Sequence, residues 1–551
     1  MPASPPPLSP AGRARSRAAL SEDRFDLLVI GGGITGAGVA REAALRGLSV
    51  ALVEKSDFGA GTSSRSSKII HGGVRYLEYF QFGMVRESAR ERRTLLAMAP
   101  HLVHPLPFLY PVFGGESFLK IRAGLFLFDF LAGSPKGERS RRLSAAQTRQ
   151  RLPGLRDPLK GAVLYPEYLT DDARFTLANV EGAAELGAAV MNHTEATGFV
   201  RAGDRVVGAT VRDHETDEEF MVEAEVTVNA TGPWAQETLT RSELPTPKRI
   251  IPSKGIHILL RRDRLPLEAA SFLRSPSGRS GLVMPRGPWV YVGTSDDPFE
   301  GDLDRPRAEG AEIDDLVALT ADAFPEAGIT RDDVVSTWAG IRPLIYEEGK
   351  STRDMSRHDE VWISPPGLVT VAGGKLTTYR PMATRILGRV AETRGRPLPE
   401  RTGGSEPPLP GAPAEPIERF RARINDRLHH AGVAPELRDR LHMLYGTELE
   451  WMLDRHSRGY STFTPLHPEL PAFEGEVELA LRQGARTLID ALDRRMALLL
   501  FSEGGGRVTA PRAAEIMGQA LGWDEPRRRR EIAAYMELVR EHGPRGMESA
   551  D

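Results

Sequence analysis

An α/β lobe built on a parallel sheet, followed by a separate helical domain, is what this sequence predicts, and three observations carry the prediction. Residues 25–54 read FDLLVIGGGITGAGVAREAALRGLSVALVE: an apolar run, a glycine turn, a helix-compatible segment and a second apolar run ending in an acid. Alternating β-type and helical segments follow to about residue 392. Residues 396–416 are then rich in Pro and Gly, and beyond them the chain is rich in Arg and Leu at helical spacing.

The first of these segments is strand, turn, helix, strand, acid. Gly31, Gly33 and Gly36 let backbone approach a pyrophosphate and let the helix sit close to the strand. The helix start offers free N–H groups and a positive dipole end to phosphate. Glu54 stands where an acid accepts hydrogen bonds from ribose hydroxyls. A lone glycine turn is weak support; here the flanking strands and the acid agree with it, and dinucleotide binding follows. The motif alone does not separate FAD from NAD(P).

The remaining elements follow in order. The twenty residues at the start, MPASPPPLSPAGRARSRAAL, have no apolar core like that of a secretory signal, and although they share the Arg/Ser bias of transit peptides, five prolines among the first ten argue against the amphipathic helix of such a targeting segment. Residues 1–22 are expected to be a disordered tail. After Glu54 comes a small, polar stretch, then a helical pattern to about Ala99 and a proline-punctuated extended segment over 100–111. Residues 118–131 (FLKIRAGLFLFDFL) predict either a buried helix or a patch resting on a bilayer. Residues 171–187 read as helix. Segments 189–198, 205–212, 220–230, 256–260, 290–294 and 368–372 read as strands, and 376–392 as helix.

Bulk composition narrows the function. A chain of 551 residues holds more than one domain. A net charge of −3 provides no polycationic face, so nucleic acid is not a favoured partner. The absence of cysteine excludes disulfides, thiolate metal sites and cysteine-linked flavin. The 13 histidines form no cluster at ligand spacing, so no metal is expected. No run of about 18 apolar residues spans a membrane.

Several longer segments, in order, carry a family resemblance: VIGGGITGAG, GTSSRSSKIIHGGVRYLE, DDAR, NATGPW, PSKGIH, GTSD, WAGIRPL and GGKLTTYR. From about Asp26 to Arg380 the chain resembles the FAD-dependent glycerol-3-phosphate dehydrogenases, within the glycine/D-amino-acid-oxidase-like flavoproteins. The resemblance implies FAD rather than NAD. It also implies a Rossmann-like FAD-binding lobe interleaved in sequence with an antiparallel substrate lobe over 23–395, a linker over 396–416, and an all-helical domain over 417–551.

It further implies roles for particular residues. Thr62, Ser63, Ser64 and His71 are expected along the flavin and its pyrophosphate. Gly374, Lys375, Leu376 and Thr377 stand at a helix start that can stabilise negative charge on reduced flavin. Asn229, Ala230, Thr231 and Gly232 form either a nucleotide-side turn or a tight strand-to-helix connection. A phosphorylated triol needs cationic donors, for which Arg75, Arg342, Arg357 and Lys375 are the candidates, with Tyr76 beside them. His257 is the expected base for the hydroxyl proton and Arg342 the polarising group. Lys254 is expected to steer the phosphate or to cap a turn.

The implied substrate is glycerol 3-phosphate, and the implied acceptor a membrane quinone reached from the inner face of the cytoplasmic membrane. An oxidase using oxygen and an amine or amino-acid oxidase on the same fold stand as alternatives. Oligomeric state is open, a homodimer among the options.

Overall fold

The computed structural model describes residues 5–73, 82–133, 138–275, 278–346, 348, 359–401 and 406–544. Two sheets organise them. In the first, Arg24–Ile30 lies between Glu218–Asn229 and Val50–Val53, all parallel, with Ala189–Met191 beyond Val53 and Leu368–Ala372 beyond Asn229. These strands are apolar on both faces because both are covered, one by helices and the other by Leu20 together with Ala209, Val211 and Val222 of neighbouring strands. Ile34–Leu45 packs against Asp172–Glu185 and Tyr379–Arg394 on one side, and Leu27, Val29, Leu52 and Val228 bury beneath them. A meander of Thr194–Ala202 and Arg205–Asp213 continues antiparallel from Glu218–Asn229.

Register aligns the ends of the parallel strands. Ile30 pairs with Val53 and with Asn229, and Asn229 with Thr370. The loops that follow therefore share one edge of the sheet, which is where doubly wound folds bind ligands.

The second sheet is almost wholly antiparallel. Its centre is Ile250–Arg261, flanked by Trp289–Gly293 and Val334–Ile345, and it runs out through Ser280–Arg286 and Ala270–Arg274 to Val103–Phe113 and Leu159–Thr170. The single parallel contact joins Ala270–Arg274 to Val103–Phe113. Its strands come from both sides of the parallel-sheet segments in sequence, so the two lobes are interleaved as expected.

Three expectations change. Residues Pro10–Glu22, expected within a disordered tail, form a helix. Ser9 caps it and Pro10 takes the first helical position, where a missing N–H costs nothing. Arg13 reaches Asp213 (2.8 Å) and the Asn192 carbonyl (2.7 Å), and Leu20 buries with Phe25 and Leu28. The prolines sit before and at the start of the helix, so counting them against it was misleading.

The C-terminal region is not wholly helical: Pro465–His467 and Leu470–Phe473 form a hairpin among its helices. Nor is its packing separate. Phe420, Leu441, Tyr445 and Met452 make a core of their own, but Leu498, Leu499 and Met517 pack into one continuous cluster with Trp338, Tyr291 and Leu259 of the antiparallel sheet. Within the linker, Leu409 is buried and Glu406 meets Arg41 (3.0 Å) and Arg401 (2.6 Å).

Helix Phe118–Ala132 is buried on one face only. Leu125 and Phe128 are buried, while Leu119, Phe126 and Phe130 are 77%, 72% and 73% exposed on the opposite face.

Candidate active site

A cavity of about 1170 Å³ opens at the shared edge of the parallel strands and extends to the face of the antiparallel sheet. Its dinucleotide end is mostly backbone. Gly31 has φ +107°, and a Cβ there would lie 2.6 Å from the Ala230 carbonyl oxygen. A Cβ at Gly36 would lie 1.9 Å from the Gly31 carbonyl oxygen, so Gly36 serves helix–strand packing and does not itself line the cavity. Gly33 lines it and caps Ile34–Leu45. The Ile34 N–H donates to Ser63 Oγ (2.9 Å), which sets that hydroxyl at the positive end of the helix.

Glu54 is held by two N–H donors, Gly32 (2.7 Å) and Ser56 (2.9 Å). Burial nevertheless pushes its carboxyl above the ordinary range. Ala230, Thr231 and Gly232 line the cavity, while Asn229 does not. Asn229 accepts from the Thr231 hydroxyl (2.7 Å) and donates to the Ala235 carbonyl (3.1 Å), so it holds the turn in shape. The turn is thus a tight strand-to-helix connection, three of whose residues border the cavity.

Opposite, Gly373 and Gly374 adopt φ +80° and +92° and lead into the helical start at Leu376–Thr378. Gly374, Lys375, Leu376 and Thr377 all line the cavity. The His71 N–H donates to Thr377 Oγ1 (3.3 Å), tying the HGG segment to that start, and His71 also lines the cavity. Thr62 and Ser63 line it; Ser64 does not. Expected beside the flavin, Ser64 instead points inward from the turn Thr62–Ser64, is buried, and accepts from Arg65 (3.0 Å).

The far end is built from side chains on strands. Along Ile250–Arg261, residues alternate between faces. His257 and Gly255 share the cavity face; Lys254 lies on the other, where its ammonium meets Glu309 and Glu312, each at 3.0 Å. The expected phosphate-steering role for Lys254 is therefore corrected: it docks the start of helix Gly310–Ala323.

Arg342, on the neighbouring strand, donates to Thr294 Oγ1 (2.8 Å), the Ser295 carbonyl (3.1 Å) and Asp296 (3.2 Å). A Cβ at Gly255 would sit 2.3 Å from Arg342 Nη2, so the guanidinium lies where only glycine leaves room. His257 is stacked on Trp338, with centroids 4.7 Å apart at 8°, and its Nε2 lies 2.8 Å from Ser67 Oγ. Burial first, then Arg342 and Lys68, hold its imidazole well below the usual histidine range, so the ring is neutral. Arg75, Tyr76 and Arg357 lie outside the described residues.

Sequence reasoning passed over Ser67, Gly255, Gly293 and Thr294. Gly293 faces His257 across the strand pair, and a Cβ there would meet its Cδ2 at 2.2 Å. All four stand inside or beside the segments singled out above; strand alternation around His257 was the available signal.

Among the described residues, one cluster elsewhere has metal-like spacing: Asp57, His193 and Asp490. Arg494 joins both carboxylates at 2.6 Å, and Arg495 joins Asp57. Their charge is already balanced by guanidinium, and the cluster fastens the C-terminal region to the parallel-sheet lobe.

Fold and cavity together define a dinucleotide-dependent oxidoreductase: a glycine-lined trough for the cofactor, with a neutral histidine and a fixed arginine at its reactive end. The chain belongs to the FAD dependent oxidoreductase family, whose profile matches residues 26–380; residues 404–528 match the C-terminal domain of alpha-glycerophosphate oxidase. It is 35% identical to the aerobic glycerol-3-phosphate dehydrogenase of Bacillus subtilis strain 168, over 93% of this chain and 94% of that one. The enzyme of the same name from Staphylococcus aureus strain MRSA252 is 41% identical over 70% of each chain. The glycerol-3-phosphate dehydrogenase from Bacillus halodurans, solved in complex with FAD, superposes with a TM-score of 0.82 at 30% identity, over 99% of this chain and all of that one.

Proposed function

We propose that this chain oxidises sn-glycerol 3-phosphate to dihydroxyacetone phosphate with bound FAD, and passes the electrons to a quinone-type acceptor. The observation that carries the reading is the pairing of His257 and Arg342 at one end of a cavity whose other end is a dinucleotide cradle. The relatives' names supply the substrate.

FAD fits the residues present: Gly31, Gly33 and Ser63 for the pyrophosphate, Glu54 for the ribose, and the Gly374–Thr377 start for the ring. When bound, it supplies the hydride acceptor. The protein's own part is proton handling and charge. Neutral His257 takes up the hydroxyl proton, and its depressed basicity keeps it available across the neutral range. Arg342, braced by Thr294 and Asp296, presents a planar cation to the oxygen as it becomes a carbonyl. Arg75, Arg357 and Lys375 supply cationic donors for the phosphate.

A quinone is apolar and is met at a bilayer. The exposed face of Phe118–Ala132, with Leu119, Phe126 and Phe130, supports docking on a membrane surface. No helix among the described residues is long and apolar enough to cross one.

The test is to purify the protein, read flavin by absorbance, and add glycerol 3-phosphate without oxygen. Bleaching of the flavin band establishes the substrate. Bound flavin that does not bleach rejects it in favour of amines or amino acids. Readmitting oxygen, or adding a soluble quinone, then identifies the acceptor.

A further inference from the structure

Building on the proposed role of His257 as base, we infer that Ser67 carries the proton from the substrate hydroxyl to that histidine. The ring borders the cavity but offers substrate almost no surface. His257 is 1% exposed, packed between Trp338 and Gly293. Its Nδ1 is buried and has no hydrogen-bond partner among the described residues. Its other nitrogen, Nε2, is engaged by Ser67 Oγ at 2.8 Å. Ser67 is only half-buried and lines the cavity beside Thr62 and Ser63. A hydrogen-bonded route from cavity to imidazole thus runs through one hydroxyl, which can accept a proton on one side while donating its own on the other.

The neighbours hold that hydroxyl in place. The Ser67 carbonyl accepts from Tyr291 Oη (2.9 Å), and the Ser66 carbonyl from Trp338 Nε1 (3.3 Å). Asp172 accepts from the Ser66 N–H (3.0 Å) and hydroxyl (2.7 Å) and pairs with buried Lys68, which also donates to the Ser64 carbonyl (3.0 Å). Trp338 fixes both members of the pair, stacking on the imidazole and anchoring the residue before Ser67. So rigid a support for a solvent-facing loop is what proton transfer at hydrogen-bond range needs.

The step balances as follows. The O–H bond at the substrate's C2 breaks, its proton going to Ser67 Oγ while the Ser67 proton passes to His257 Nε2. The C2–H bond breaks with its electron pair, leaving as hydride to the oxidised flavin of the proposed reaction. The oxygen lone pair forms the carbonyl. The serine ends unchanged and the histidine protonated.

The test compares wild type, Ser67→Ala, Ser67→Thr and His257→Asn, all loaded with FAD, by anaerobic rapid mixing with glycerol 3-phosphate. Ser67→Ala is expected to slow flavin bleaching at saturating substrate by about 100-fold, within the range of one proton-transfer group, with half-saturation moved by less than about threefold. Ser67→Thr, which restores a hydroxyl, is expected to recover most of the rate. A second readout needs no turnover. In protein labelled with nitrogen-15 histidine, the His257 Nε2 resonance, identified by its loss in His257→Asn, should shift in Ser67→Ala and stay close to wild type in Ser67→Thr. Wild-type bleaching in Ser67→Ala beside an inactive His257→Asn overturns the relay and leaves the base assignment standing. A threonine variant as slow as the alanine one, or an unmoved resonance, also overturns it. Full-rate bleaching by His257→Asn defeats the underlying reading instead.

Discussion

At one end of the cavity Gly31, Gly33, Gly232 and Gly374 present main chain to whatever binds; at the other, His257, Arg342, Thr294 and Ser67 present side chains. The first end is assembled from short turns, each shaped locally by its glycines and gathered at one edge by the register of the parallel strands. The second is assembled from residues up to 275 positions apart in sequence (Ser67 to Arg342), brought together by sheet register. The two ends should therefore fail differently. A change at the backbone end costs cofactor; a change at the side-chain end costs rate and leaves cofactor bound.

The largest expected break of that contrast is Arg342→Ala. With the guanidinium gone, the anaerobic bleaching rate should fall by about 10²–10³-fold, as for loss of a group that stabilises transition-state charge, while flavin content by absorbance stays at wild-type level. Loss of flavin in this variant would mean that the two ends are not separable. Next, Glu54→Gln should weaken FAD by roughly 10-fold, about 1.4 kcal/mol, read as flavin lost on dialysis, with the bleaching rate of the loaded fraction unchanged.

Lys254→Met sharpens the contrast by strand face. It removes the cation that docks Glu309 and Glu312, so unfolding free energy in urea should drop by ~1–3 kcal/mol, while half-saturation by glycerol 3-phosphate stays where it was. An increase in half-saturation would return Lys254 to the substrate's surroundings.

The remaining contrast is a pH dependence of the packing around four largely buried histidines. His101 and His104 are pulled down to about 3, and His442 and His542 to about 4, in each case chiefly by burial and then by nearby arginine. Each ring is neutral in the fold where a free imidazole is charged, so unfolding takes up protons below about pH 6.5. Stability is complete above that value and falls as pH drops toward 4. Glu406, held at about 2 by Arg401 and Arg380 against the opposing effect of burial, adds loss below about pH 4.5. Thermal midpoints at pH 7.5, 6.0 and 5.0 should fall in that order, with cleavage of the 396–416 segment rising.

The same contrast explains what was legible beforehand. The glycine turn, its flanking strands and Glu54 form one continuous stretch, and two apolar runs bracketing a glycine turn and a helix-compatible segment are readable without knowing the fold. The reactive end depended on resemblance for His257 and Arg342, because register between Ile250–Arg261 and Val334–Ile345 is not written in either strand alone. Lys254 was the avoidable error: three residues from His257, it had to lie on the opposite face. Ser64 was not avoidable, since a single turn of three residues has no period from which to read direction. The helix Pro10–Glu22 was missed because its stabilising partners, Asp213 and Asn192, lie nearly 200 residues away.

The helix Glu525–Glu541 hands over to His542, whose carbonyl accepts the N–H of Thr337, one residue before the tryptophan that stacks on His257. The reactive wall is thus finished by residues that leave the ribosome well after the wall itself, His542 lying 205 positions beyond Thr337. Until they do, the apolar side of the antiparallel sheet that Leu498, Leu499 and Met517 cover stands open to solvent. A chain cut short by a premature stop would hold a formed nucleotide cradle beside an unfinished wall. Such a product would be recognisable to cellular quality control by its sticky surface, and inert toward substrate while it lasts.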